Sequence, residues 1–313
     1  MANKPIAFTL QPTMNGTVHY TTCPVCGSAE INPLQAVKDF TVSGREFVLW
    51  QCAACSLRFT QDVPDAASIG AFYKSEDYIS HTDDTKGLMN KLYQRVRRIT
   101  ISQKAKLIEG ATGLRQGAIL DVGCGTGTFL HHMKGRGWKA AGVEPDADAR
   151  RMAKSRYGVE AQEPQALYEF APQSFNAITL WHVLEHVHDL HPYMDRLQEL
   201  LAPGGKLLIA VPNYGSLDAE VYRTNWAAYD VPRHLYHFTP RSMAALVAQH
   251  GLRIVAQKPM WFDAFYVSLL SSKYRNGKKP NWLHAGFTGI RSNLNTVLHP
   301  DQCSSLIYII EKK

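Results

Sequence analysis

Residues 118–130, AILDVGCGTGTFL, join an apolar strand to the start of a helix through three alternate glycines. Glycine permits a tight turn and close approach of a ligand to the backbone, and a helix N-terminus favours an anionic group. Asp121 precedes the glycines, where its carboxylate can hold an ammonium group. Glu144 ends the next strand, where a carboxylate can accept hydrogen bonds from two ribose hydroxyls. A dinucleotide needs only the second acid, whereas an amino acid fused to a nucleoside needs both.

Short apolar strands alternate with amphipathic helices from residue 118 onward, which predicts a mostly parallel α/β sheet. A helix is also expected from about Thr85 to Glu109, because apolar residues recur there at helical spacing. The predicted strands are Ala118–Val122, Ala140–Val143, Val159–Gln162, Ala177–Trp181, Lys206–Val211, Leu252–Gln257 and Ser305–Ile310.

Four segments, in this order, resemble class I S-adenosylmethionine-dependent methyltransferases: ILDVGCGTGTFL, GVEPD, FNAITLWHVLEHVHD and LAPGGKLLIAVPN. The resemblance covers roughly Tyr73 to Lys313. It implies a Rossmann-like seven-stranded sheet whose last strand, Ser305–Ile310, is reversed. It also implies S-adenosylmethionine as the cofactor and an oxygen or carbon of a small molecule as the methyl acceptor.

The resemblance assigns cofactor contacts residue by residue. Glu144 would hold the ribose, and Glu163, after the third strand, is the candidate for the acid that contacts adenine. Trp181 and His182 would lie beside the cofactor and the substrate entrance. The methionine end would be lined by Asp121, Gly123, Cys124, Gly125 and Gly127. We expect Cys124 to be a small residue fitted to a tight turn rather than a nucleophile.

Four cysteines near the N-terminus form two matched pairs, Cys23-x-x-Cys26 and Cys52-x-x-Cys55. Two strand-like runs, Leu34–Val42 and Glu46–Gln51, separate the pairs and suggest a hairpin. Two such turns can close a tetrahedral four-thiolate site, which predicts a structural zinc ion in a zinc ribbon. The predicted division is a zinc-ribbon domain (1–65), a helical linker or lid (66–112) and a methyltransferase domain (113–313).

A loop rich in histidine and aromatic residues, from Asn213 to Pro240, follows the fifth predicted strand at the edge where α/β enzymes bind substrates. His234 is the first candidate for a general base and His237 the second, because a histidine that titrates near neutrality suits proton removal from an acceptor. The alternative is that both histidines only pack or cap. The loop resembles that of quinone-biosynthesis O-methyltransferases and zinc-bearing sugar C-methyltransferases, but Arg233 stands where the sugar group has an acid.

Three further residues, Tyr73, Tyr78 and His81, precede the long helix and are candidates for a lid that contacts cofactor or acceptor. The basic residues of that helix, Lys104 among them, are expected on a solvated face. Glu185 and His186 can be interpreted as a metal pair, but we expect Glu185 to satisfy backbone or cofactor groups.

Composition gives 45% hydrophobic residues and a formal net charge of +7, as expected for a globular chain with no strong preference for a polyanion. Without a signal peptide or membrane-spanning run, we expect a cytoplasmic enzyme. The expected acceptor is a small molecule, anionic or lipid-like, and nucleic acid is disfavoured. Two alternatives stay open: an RNA or protein methyltransferase that docks through the ribbon, and a non-catalytic zinc or cofactor-binding adaptor. The oligomeric state is left open.

Overall fold

The computed structural model describes residues 11–12, 16–73, 88–277 and 279–313. The strands are β1 (Gln11–Pro12), β2 (Thr17–His19), β3 (Ile31–Lys38), β4 (Glu46–Cys52), β5 (Arg58–Thr60), β6 (Val63–Pro64), β7 (Ala118–Val122), β8 (Lys139–Val143), β9 (Ala161–Gln162), β10 (Phe175–Trp181), β11 (Leu201–Pro212), β12 (Tyr236–His237), β13 (Leu252–Pro259) and β14 (Ser305–Lys312). The α-helices are α1 (Leu88–Thr112), α2 (Thr128–Gly135), α3 (Ala147–Tyr157), α4 (Leu190–Leu200), α5 (Leu217–Tyr222), α6 (Pro240–Gln249), α7 (Asp263–Asn276) and α8 (Trp282–Leu298).

The largest sheet has seven strands in the order β13-β14-β11-β10-β7-β8-β9. Strand β14 is antiparallel to both of its neighbours, and the pairs from β11 to β9 are parallel. The Rossmann-like sheet with a reversed last strand is therefore confirmed. Strand β11 begins at Leu201, five residues before the predicted start, because Leu201 pairs with Phe175 ahead of a register shift.

The central strands are buried on both faces of this sheet, which explains their nearly continuous apolar sequences. One face packs Leu120 and Ile178 against α4, while the other packs Ile119 and Ala177 against α1. The parallel strands β7, β8 and β10 all end at the same edge of the sheet. The acids and histidines that follow these strands are thereby brought together.

The predicted hairpin forms, with β3 and β4 paired antiparallel. Its first strand ends at Lys38 instead of Val42, because the Asp39 carboxylate accepts the backbone N–H groups of the next residues and turns the chain. Strand β12, from the loop after β11, adds to this sheet beside β5, in the order β12-β5-β4-β3. The histidine-rich loop therefore belongs structurally to the cysteine-bearing segment as well as to the large sheet. A separate small sheet has the order β1-β2-β6.

Helices α7 and α8 lie between β13 and β14 in the chain and pack against each other. Among the described residues, no helix is long and apolar enough to cross a membrane. The mostly apolar run 261–270 forms a turn and the first half of α7.

Candidate active site

The glycine-rich turn between β7 and α2 presents backbone to open space. Gly123 and Gly125 have φ angles of 71° and 53°, and a Cβ on Gly123 would stand 2.5 Å from the side chain of Val183. A Cβ on Gly125, by contrast, would meet no atom of the described residues within 4 Å. The turn is thus closed on its inner side and open where a ligand can lie against Gly125. The thiol of Cys124 is buried, and burial raises its pKa, so it stays protonated.

Glu144 lies across this turn, directly after β8. Its carboxylate accepts the backbone N–H groups of Gly125 at 2.7 Å and Asp146 at 3.0 Å. Burial raises its pKa, although these two hydrogen bonds oppose the rise. Glu163 lies at the same edge after β9, where its exposed carboxylate pairs with Arg150 at 2.8 Å.

Asp121, at the end of β7, is 2% exposed and accepts a hydrogen bond of 2.6 Å from the hydroxyl of Thr179. Burial raises its pKa to about 7, against the lowering effects of Thr179 and of Lys104. The Lys104 ammonium lies 4.1 Å from the ring centroid of Trp181, and burial lowers its pKa. Lys104 therefore leaves the solvated face predicted for α1 and joins the site. Sequence reasoning missed it, because helical periodicity does not tell which polar residues a neighbouring loop will cover.

His182 follows β10 in a left-handed conformation, with φ at 57°. Its Nε2 lies 3.0 Å from Asp263 and its Nδ1 3.4 Å from Glu185. Burial by itself would lower the pKa of His182, but the two carboxylates outweigh it and raise the pKa to about 10. The imidazole is therefore cationic at neutral pH. Asp263, the first residue of α7, was not singled out from the sequence, because it follows no recognisable motif.

Carboxylates outnumber cations around this edge of the sheet. Among the described residues, Asp121, Glu144, Glu185 and Asp263 face two half-buried basic side chains, Lys104 and His182, while Arg150, which also lies near Glu144, pairs with Glu163. The imbalance favours a positively charged ligand in a region that is largely removed from water.

The loop after β11 brings His234 against Glu185 and His186. One ligand atom from each of these three residues lies within 4.8 Å of the others, which is a spacing that could hold a divalent cation. Glu185 is fully buried, and apart from the long 3.4 Å contact with His182 neither of its oxygens has a hydrogen-bond partner among the described residues. Burial, together with nearby His234, lowers the pKa of His186 to about 4, so His186 stays neutral.

The tautomer of His234 follows from its surroundings. Its Nδ1 lies 2.8 Å from the carbonyl oxygen of Ala228, and a carbonyl only accepts, so Nδ1 carries the proton. The Nε2 lone pair then faces the cluster, 3.9 Å from Asp230. His237 differs: it is buried in β12 with Nε2 at 3.2 Å from the Thr60 hydroxyl, and burial keeps its pKa well below the usual value.

Arg233 does not face an open pocket. It is 1% exposed and donates to Asp39 at 3.1 Å, to Asp230 at 2.6 Å and to the carbonyl of Phe72. Both carboxylates are thus already paired with its guanidinium. Arg233 therefore gives no support to the expectation of an anionic acceptor.

Of the predicted lid residues, the structure describes Tyr73, whose hydroxyl lies 3.0 Å from Nδ1 of His186. Tyr78 and His81 lie outside the described residues. Trp181 borders the site, and its buried indole N–H has no hydrogen-bond partner in the part of the chain that the structure describes.

The four N-terminal cysteines converge, as predicted. The sulfur atoms of Cys23 and Cys55 lie 3.6 Å apart, as do those of Cys26 and Cys52, and all four lie within 4.8 Å of one another. This cluster could hold a metal ion. Three of its cysteines, Cys23, Cys52 and Cys55, lie within the same apolar core as the large sheet.

Comparison with known proteins places the chain in a family. A methyltransferase domain family matches residues 77–257. Similar curated proteins include ubiquinone biosynthesis O-methyltransferases of Cupriavidus pinatubonensis (28% identical, covering 50% of this chain and 68% of that protein) and Brucella anthropi (28% identical, 46% and 61%). A similar solved structure is geranyl diphosphate C-methyltransferase from Streptomyces coelicolor, with 16% identity, a TM-score of 0.49, and coverage of 74% of this chain and 86% of that one.

The family match spans more than half of the chain, so the chain belongs to the methyltransferase domain family. It is a class I S-adenosylmethionine-dependent methyltransferase, and that prediction is confirmed. The alignments cover about two thirds of the length of the two curated relatives.

Proposed function

We propose that this methyltransferase acts on an oxygen or acidic carbon of a small molecule, with His234 as the general base. The observation that carries the proposal is the orientation of His234, whose Nδ1–H is fixed by a carbonyl so that its Nε2 lone pair faces the buried cluster. Asp230, 3.9 Å from Nε2, would stabilise the imidazolium that forms when His234 takes the acceptor's proton. His237 is a poorer candidate, because its environment opposes protonation.

The residues at the sheet edge fit S-adenosylmethionine, which supplies an electrophilic methyl group on a sulfonium. Asp121 and Lys104 match the ammonium and carboxylate of its methionine part, and the open side of Gly125 lets that part lie against the protein backbone. Glu144 is proposed to accept the ribose hydroxyls. Glu163 is proposed to contact adenine after exchanging its partner Arg150. The surplus of carboxylates favours the sulfonium charge.

The cysteine cluster fits zinc. Zinc–sulfur bonds of about 2.3 Å in a tetrahedron require sulfur atoms about 3.8 Å apart, close to the 3.6 Å separations between Cys23 and Cys55 and between Cys26 and Cys52. Four thiolates leave no open coordination position, so we propose a structural role for the ion.

For the acceptor, we propose a phenolic compound, since relatives of this chain are named for ubiquinone biosynthesis. A phenol is acidic enough for a neutral imidazole to deprotonate, and its oxygen then displaces the thioether from the methyl group in line. A panel of catechols is the probe for this class of acceptor.

The test combines calorimetry with transfer of radiolabelled methyl groups to the catechol panel. We expect His234→Ala to bind S-adenosylhomocysteine within about twofold of wild type and to lose turnover by about 100-fold or more. His237→Ala serves as the matched control and should retain turnover. Unchanged turnover in His234→Ala would exclude His234 as the base. Transfer of the radiolabelled methyl group to RNA or protein instead of phenols would overturn the proposed acceptor class. Stimulation by added Mg²⁺ that Glu185→Gln abolishes would make His234 a metal ligand instead.

A further inference from the structure

Helix α8 turns its largest apolar side chains outward. Seven of them are between 52% and 88% exposed: Trp282, Leu283, Phe287, Ile290, Leu294, Val297 and Leu298. Single exposed apolar residues are ordinary on protein surfaces, but a contiguous patch from one helix marks an interaction site.

The opposite face of α8 is the buried one, and it carries small residues: Ala285, Thr288, Gly289, Ser292 and Thr296. A Cβ on Gly289 would stand 2.6 Å from the ring of Phe265 in α7, so glycine is what allows this close packing. The side chain of Ser292 also donates to the buried Asp218 at 2.9 Å. The small face thus fixes how α8 is rotated, and the outward direction of the bulky side chains follows from specific contacts.

The spacing of the exposed residues is compatible with a helical partner. Leu283, Phe287, Ile290, Leu294 and Val297 are separated by four, three, four and three residues. This is the repeat of a coiled-coil seam, which keeps an apolar stripe facing another helix along its whole length. The repeat thus places these five side chains in one stripe on a single face of α8.

We infer that α8 is a dimer interface, in which the stripe from Leu283 to Val297 pairs with the same stripe of a second copy of the chain. A large side chain has a surface on the order of 150–250 Å², and these seven are each between about half and nine-tenths exposed, so covering them buries on the order of 800 Å² per chain. Two chains then bury on the order of 1,600 Å², the area of a standard stable interface. The helix carries one charged residue, Arg291, whereas helices that lie on membranes carry a strongly basic face.

Two-fold symmetry determines which residue meets its own copy. Ile290 is the middle member of the stripe, so it lies next to the axis whether the two helices run parallel or antiparallel. The pairing therefore predicts that Ile290 meets its own copy, whichever way the two helices run.

The first test is disulfide trapping with Ile290→Cys. Under mild oxidation we expect a covalent dimer on a non-reducing gel, because the two thiols lie close together at the axis. Leu114→Cys is the matched control, since Leu114 is 37% exposed but lies outside the stripe. This variant should run as a monomer on the same gel, because its thiols do not meet across the axis. Equal cross-linking of the two variants, or none in Ile290→Cys, would contradict the pairing.

The second test is sedimentation. We expect wild-type protein at twice the 35.0 kDa mass of the chain and Leu294→Glu at the monomer mass, with Leu114→Glu remaining dimeric. Unchanged binding of S-adenosylhomocysteine by Leu294→Glu would show that the fold is intact. A wild-type monomer, or a dimer that survives Leu294→Glu, would overturn the inference. A wild-type monomer that floats with phosphatidylcholine–phosphatidylglycerol vesicles would reassign the stripe to a lipid surface.

Discussion

Asp121 is buried at the end of β7, and burial raises its pKa to about 7, which is close to the pH at which the cofactor binds. Desolvation disfavours the charged carboxylate and raises the pKa, whereas Thr179 and Lys104 stabilise the charged form and lower it. In the proposed site an ammonium and a sulfonium approach, and both prefer the ionised form. Cofactor binding should therefore be coupled to loss of the Asp121 proton.

The affinity for S-adenosylhomocysteine should rise with pH. The ionised fraction of a group with a pKa of about 7 increases roughly tenfold between pH 6 and pH 8, so affinity should increase by about the same factor. Calorimetry at both pH values measures this change in affinity. Asp121→Asn should bind S-adenosylhomocysteine weakly, with an affinity that does not depend on pH. An affinity that falls with rising pH, or a slope that persists in Asp121→Asn, would assign the proton to another group.

At this scale the sequence predicts acids and glycines at strand ends well, because strand, turn and helix follow each other within a few residues. Asp121 and Glu144 come to one edge as expected. Lys104 and Arg233 could not be assigned in this way, since their partners are distant in sequence. Arg233 pairs with Asp39, 194 residues away, and no local pattern encodes that contact.

At the scale of elements, the main sheet follows its apolar runs closely, and β7 has the predicted bounds. Strand β12 was missed, because two residues are too few to show any periodicity. Yet β12 joins the histidine-rich loop to the ribbon: the Thr60 hydroxyl donates to the carbonyl of His234 at 2.8 Å, and the Thr60 N–H to that of Leu235. The ribbon thereby positions the proposed base.

Loss of the proposed zinc ion should consequently impair turnover more than cofactor binding. We expect Cys52→Ser to lose bound zinc, to loosen β5 and β12, and to reduce turnover by about 100-fold, as a misplaced catalytic group does. Affinity for S-adenosylhomocysteine should change by less than about threefold, because β7 and β8 hold that site. Elemental analysis, calorimetry and methyl transfer measure the three effects.

Cys303→Ser is the matched control, since Cys303 is also fully buried but lies outside the cluster. It should keep its zinc and its turnover. If Cys52→Ser lost zinc while retaining full turnover, the ribbon would have no part in placing His234.

At the scale of the whole molecule, one apolar core runs from the cysteine cluster through β12 to the large sheet, with Val25, Phe59 and Leu235 packed together with Leu180 and Ile209. The division into a ribbon, a linker and a catalytic domain stays a prediction. A shared core nevertheless implies that the two sheets unfold together. The exposed stripe of α8 was beyond sequence reasoning, because an amphipathic pattern does not tell which of two faces the fold will bury.

The buried ion pairs of Arg233 join the two sheets, since Asp39 follows β3 and Asp230 lies in the loop after β11. Arg233→Ala would leave two carboxylates unpaired, Asp39 among them, which is 1% exposed. We expect a loss of about 3–5 kcal/mol in the free energy of unfolding, as when one partner of a buried pair is removed. Arg136→Ala is the matched control, because its pair with Glu109 is partly exposed and should contribute less than about 1 kcal/mol. Urea titrations followed by tryptophan fluorescence compare the two, each expected to give a single transition. Equal losses, or a separate early transition in Arg233→Ala, would mean that the two sheets are not joined through this arginine.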